Sequence, residues 1–297
     1  MHGKEAWIVT ALAFIAAAGP TFASDSWLIS DRDSLEAGEP LWLSFVTGQV
    51  FPWGDAATDS TWVARFTDRA GTEEREISGF AVVDRGLSLR EPVSDPGIHV
   101  IGCELVPRVV DIDGPGFLGY LLTERAEKVL SVFEPPADDG RTVRERYTKF
   151  AKTIVAVRPV DDLDEGFAIP LGHRLEITPL SNPTRWRTGT TVQVEVLLDG
   201  HPWPNIPVSA GHDMLHQPGY VALTQTDADG IAEIELTREG HWFVKAHLIR
   251  QPPELGRTQW ESFWATLSFR VADDREDPPE SLTDASGPVP PIATDVS

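Results

Sequence analysis

The chain has 297 residues, with 46 acidic against 25 basic side chains and a formal net charge of −21. That balance argues against nucleic acid and anionic membrane surfaces, which reward basic patches. A lone cysteine, Cys103, excludes an intrachain disulfide, and 24 glycines with 24 prolines favour short strands joined by turns.

The first 23 residues read as an export leader. Lys4 opens it, Ala6 to Ala18 is apolar except for Thr10, and Gly19-Pro20 break the helix. Thr21-Phe22-Ala23 then place small residues at −3 and −1 of a cleavage site. The apolar run is shorter than the roughly 20 residues that span a bilayer. The expected mature chain begins at Ser24 and is periplasmic or otherwise exported.

From Trp27 to Glu104 the sequence alternates with the period of a half-buried strand. Leu41, Leu43 and Phe45 alternate with Trp42, Ser44 and Val46, and Trp62, Ala64 and Phe66 with Val63, Arg65 and Thr67. Cys103 shares a face with His99 and Ile101 and reads as a small buried hydrophobe. Apolar and charged residues over Phe117 to Leu130 predict a short amphipathic helix. Tyr147 to Val157 is strand-like again, and the acidic run Asp161 to Gly166 marks a domain joint.

In the second half, Val192, Val194, Val196 and Leu198 face one way, Asp199-Gly200 turns the chain, and Ile206, Val208 and Ala210 continue. Thr226 to Gly230 predicts a hairpin turn, because Asp and Gly tolerate positive φ. Trp242 to Leu248 and Phe263 to Val271 supply two more alternating runs. Together these predict a mainly β protein of two immunoglobulin-like or transthyretin-like sandwiches, 24–160 and 161–272, with helical residues near 117–130. Residues 273–297 are acidic and proline-rich and predict a disordered tail.

Several blocks in order resemble the family catalogued as domain of unknown function 4198. They begin with FLGYLLTERAEKVL at Phe117, RERYTKFAKTIV at Arg144 and LGHRLEITPLSNP at Leu171. GTTVQVEVLLDGHPWPNIPV at Gly189, TDADGIAEIELTREGHWFVKAH at Thr226 and WESFWATLSFRV at Trp260 follow. The resemblance implies a non-enzymatic, periplasmic β-sandwich accessory protein linked to nickel/cobalt uptake, with a membrane transporter or outer-membrane receptor as partner. Members of that family frequently start the mature chain with Ala-His and an aromatic residue; here the stretch is Ser24-Asp25-Ser26-Trp27.

Six histidines fall between His173 and His247, densest at Gly211-His212-Asp213-Met214-Leu215-His216. Imidazole suits nickel, cobalt or copper, so a divalent transition-metal site is expected from His212, His216 and Asp213 with His241 or His247. On a strand, His212 and His216 would stand about 13 Å apart, so a shared ion requires a curled loop. The alternative is that these histidines are solvated surface groups. Asp111 to Gly114 and Asp227 to Gly230 resemble the start of a calcium loop but read as turns, Arg238 standing at the twelfth position of the second. Nothing resembles a nucleophile elbow, a zincin helix or a phosphate-cradling loop, so no enzyme is expected. The two functions expected are a binding or accessory protein handling a transition metal, or a structural or adhesive module binding protein or glycan.

Overall fold

The computed structural model describes residues 24–272, apart from 56–57, 84–85, 137–139, 162 and 254–255. The expected leader 1–23 and tail 273–297 lie outside the described residues.

The chain opens with β1 (Asp25–Ser30), β2 (Ser34–Glu36), β3 (Pro40–Gly48), β4 (Val63–Ala70) and β5 (Glu73–Glu76). It continues through β6 (Ala81–Val83), β7 (Gly86–Pro92), β8 (Gly97–Leu105), β9 (Arg108–Asp113), and helices α1 (Gly114–Thr123) and α2 (Glu127–Leu130). Next come β10 (Thr142–Arg158), β11 (Leu175–Pro179), β12 (Thr191–Leu198), β13 (His201–Pro202) and β14 (Pro207–His212). The last strands are β15 (Ala222–Gln225), β16 (Ile231–Glu235), β17 (Gly240–Arg250) and β18 (Trp260–Val271).

These strands stack as sheets, giving a mainly β, sandwich-like protein. A ten-stranded sheet ordered β15-β14-β17-β18-β10-β8-β4-β5 also pairs β2 and β9 to β10. It draws strands from both sides of the expected joint at 160–161, because β10 and β18 pair in parallel from Glu145 opposite Trp260 to Thr153 opposite Ser268. On one face, Val194, Val196, Leu175 and Ile177 of the β11-β12-β13-β16 sheet pack on Phe150, Val244, Ala265 and Leu267. On the other, Leu41, Leu43 and Phe45 of the β1-β3-β7-β6 sheet pack on Phe66, Ile101, Cys103 and Val155. Burial, largely, raises the Cys103 thiol far above its ordinary pKa, as a small core side chain requires.

Local chemistry explains the turns. Asp199 and Gly200 have φ of 51° and 78°, the paired positive values that a two-residue type I′ hairpin requires. Thr226 to Gly230 does turn the chain, with Asp227 Oδ1 accepting from the amides of Asp229 and Ile231 at 2.9 Å each. It does not close a hairpin: β15 before it pairs with β14, and β16 after it pairs with β12 in another sheet. The expected helix is also two pieces. Asp113 caps α1 by accepting from Gly116 N at 2.6 Å, and Arg125, at φ 54°, breaks the helical path before α2.

Candidate functional site

The middle of the long sheet carries an interior made of charge. Side chains on a strand alternate between faces, so Lys245 and His247 of β17 share the face opposite Trp242, Val244 and Ala246. Register aligns Lys149 of β10 with Trp264 of β18 and His247 with that same Trp264, while Lys245 stands opposite Thr266. Strand β1 lays Ser24 and Asp25 over this face, and α1 delivers Tyr120 and, at its C-cap, Glu124. All of these polar residues are buried.

Lys245 is the hub. Its ammonium lies 3.0 Å from Asp25 Oδ1, an ion pair without hydrogen-bond geometry, and 2.9 Å from Glu124 Oε2, and it donates to the Tyr220 hydroxyl. Burial opposes its charge, yet Asp25 and Glu124 hold its pKa well above the ordinary lysine value. Burial raises the Asp25 carboxyl despite Lys245. Lys149 donates to the Ser24 carbonyl at 2.5 Å, and burial pushes its pKa down to about 8. Lys245 and Lys149 also lie 5.0 and 5.5 Å from the Trp264 ring centroid, within cation–π range.

Tyr120 fixes the histidine tautomer. Its one hydroxyl proton goes to Glu145 Oε1 at 3.0 Å, so its oxygen accepts from His247 Nε2–H at 2.8 Å. His247 Nδ1 is then a bare lone pair with no hydrogen-bond donor among the described residues. Burial first, then Lys245, holds His247 well below its ordinary pKa, so the ring is neutral.

Two cavities flank this network. One, of about 340 Å³, is walled by Asp25, Glu124, Tyr220, Trp27, Phe51 and Phe243. The other, of about 440 Å³, lies beside the α1–α2 joint and is lined by Arg125, Lys128, Trp203, Asn205 and His247 among others. Arg125 and Asn205 both hold positive φ, 54° and 56°; asparagine visits this left-handed region readily, whereas arginine keeps it only when its surroundings over-determine it. Arg125 is secured by donating to the Thr224 carbonyl at 2.5 Å.

The structure does not gather the predicted metal residues into one site. His212 ends β14 opposite Trp242, with its ring 5.0 Å from that indole, on the face of the sheet opposite His247. Its Nδ1 accepts from Met214 N at 3.3 Å. Asp213 accepts from His241 N at 3.1 Å, and His216 is exposed in the following turn. His241 and His247 stand six strand residues apart, about 20 Å. Among the described residues, no group of three or more His, Cys, Asp or Glu is placed to hold a metal ion. The histidines are not uniformly solvated either: His99, His173, His212 and His247 are buried. The sequence reasoning missed the lysines. Only five occur, Lys4, Lys128, Lys149, Lys152 and Lys245, and the last three are buried although lysine rarely is. Lys152 pairs with Glu176 at 2.6 Å on the opposite face. A lysine within an apolar strand, as in Phe243-Val244-Lys245-Ala246, was the available signal.

The profile of the domain of unknown function DUF4198 matches residues 21–250. The chain belongs to this family. No curated protein matches this DUF4198 chain. It is similar to the solved D0-D1 domain of Intimin, at 12% identity over 82% of this chain and 96% of that one, with a TM-score of 0.21. The human OSCAR ligand-binding domain is similar at 13% identity, 83% and 98% coverage and a TM-score of 0.21. A D1-D4 ectodomain fragment of ICAM-5 gives 13%, 85% and 52%, and 0.23.

Proposed function

We propose that this DUF4198 protein is a non-enzymatic, exported binding or accessory protein. Its ligand is a compact planar molecule with an anionic or carbonyl-bearing end, held in the cavity of about 440 Å³ beside α1 and α2. The observation that carries this reading is the convergence of Trp203, an aromatic wall, with the cations Arg125 and Lys128 against a single carboxylate, Glu127, on one cavity. Its volume falls in the range of small-molecule sites, which combine apolar walls with a few polar groups. The neighbouring network supports a holding role, since the Lys245 ammonium is already engaged by both Asp25 and Glu124.

A second reading is favoured by one observation, the bare Nδ1 of the neutral His247 imidazole. Borderline metals favour such a nitrogen, and the cargo would then be nickel, cobalt or copper, presented to an uptake partner in the envelope. Calorimetry on the exported protein separates the two, using 1-naphthoate in one arm and nickel, cobalt and copper chlorides in the others. Saturable naphthoate heat that Trp203→Ala abolishes supports the cavity reading. Saturable metal heat without naphthoate heat supports metal cargo, and His247→Ala, or His212→Ala with His216→Ala, locates the ligands. Heat in no arm refutes both.

A further inference from the structure

The buried network is one cation short. Its carboxylates are Asp25 on β1, Glu124 at the end of α1 and Glu145 on β10; its ammoniums are Lys149 on β10 and Lys245 on β17. The remaining titratable groups that face it are neutral: His247 of β17, Tyr120 of α1, and Tyr220 before β15. Counted as ionised, these groups give −3 and +2, a net single negative charge among buried side chains, where an uncompensated charge is expensive.

The chain has a means of supplying the missing charge. Ser24 is buried, its Oγ is without a partner among the described residues, and its carbonyl accepts from Lys149. Covalent geometry keeps a residue's own nitrogen within about 3.6 Å of its carbonyl oxygen. The nitrogen of the buried Ser24 therefore lies within about 6 Å of the Lys149 ammonium, at the edge of the network. The expected leader ends at Ala23. Hydrolysis of the Ala23–Ser24 amide by a leader peptidase consumes one water, leaves a carboxylate on Ala23 and frees an amine on Ser24, which takes up a proton.

We propose that leader removal makes the Ser24 α-ammonium the third cation of this network, so that the folded protein uses its own processed N-terminus as a buried ion-pair partner for Asp25, Glu124 and Glu145. The proposal rests on the export reading given above, and goes beyond it by assigning the new terminus a place. Burial holds the Asp25 carboxyl above its ordinary value although Lys245 and Lys149 oppose it, and the Glu145 carboxyl above its own although Lys149 does. Before processing, the same nitrogen is an uncharged amide, and the network stays incomplete.

The test uses the full precursor, expressed with ¹³C-serine and recovered after export. Intact mass first establishes the N-terminus. The ¹³Cα resonance of Ser24, assigned by its loss in Ser24→Ala, is then followed against pH. The expected midpoint is at least about one unit, tenfold in proton affinity, above the roughly 7.7–8.0 of an unperturbed α-amine. Glu124→Gln, or Glu145→Gln should the first not fold, should bring it down. A Ser24 terminus that titrates at or below the unperturbed range overturns the proposal and leaves the export reading standing. A mass that places the terminus elsewhere overturns cleavage at Ala23–Ser24, and the proposal with it.

Discussion

Replacing Lys245 by Met removes the hub of the network while keeping most of its volume. The ammonium that goes stands 3.0 Å from Asp25 and 2.9 Å from Glu124. Coulomb's law at an effective dielectric of about 20 gives roughly 5–6 kcal/mol for each ion pair near 3 Å, much of it offset by desolvation. Two buried carboxylates are then left facing each other, and breaking a buried pair in this way costs about 3–5 kcal/mol. Urea unfolding measures it: with a slope of about 3 kcal/mol per molar, the midpoint should fall by about 1–1.7 M. The deficit should narrow as pH is lowered. Burial raises Asp25 above its ordinary 3.8, so folding favours its protonated form. That contribution is complete below the unfolded value and is lost as pH rises through the folded one. Removing Lys245 raises the folded value further and widens the window. A loss below about 1 kcal/mol, the range of an exposed ion pair, or a deficit unchanged between pH 7 and pH 4, would refute the reasoning.

Three further outcomes follow from other parts of the fold. His99 is buried, which opposes its charge, but the hydrogen bond and charge of Asp68 at 2.8 Å hold its pKa above the ordinary 6.5. The stability this provides should be complete below about 6.5 and fade as pH rises through the folded value; NMR titration should show the His99 midpoint dropping in Asp68→Asn. Cys103 should resist a thiol reagent in the native protein and react at once in urea, whereas rapid native labelling would contradict its place in the core. Arg125→Gly should be more stable to urea than Arg125→Ala by about 1 kcal/mol. Both variants lose the bond to Thr224, and only glycine relieves the left-handed backbone at φ 54°.

Period-two alternation was legible wherever one face was apolar. Val192, Val194 and Val196 bury as the pattern predicts, and so do Phe263, Ala265 and Leu267. The Asp199-Gly200 turn was equally legible, because its backbone needs two positive φ values and the sequence supplies residues that tolerate them. Pairing between distant strands was not. Nothing local in Thr226 to Gly230 distinguishes a hairpin from a crossing between sheets, since the turn chemistry is the same. The site was hidden for a related reason. Alternation assigns a polar residue to solvent, so Lys245, His247 and Thr266 read as an outer face until β1 and α1 are laid over them. The histidine cluster in the sequence pointed elsewhere. His212 and His247 lie on opposite faces of one sheet, and sequence spacing cannot show which face a long-range pairing will cover.

Acetylation of the lysines in the native protein, read residue by residue by mass spectrometry, tests most directly whether the charged face of the long sheet is sealed. Lys128 is exposed and should react within the first exposure to reagent. Lys149 and Lys245 should stay unmodified until the protein is unfolded. Modification of either at the rate of Lys128 would contradict a buried ion network in this protein.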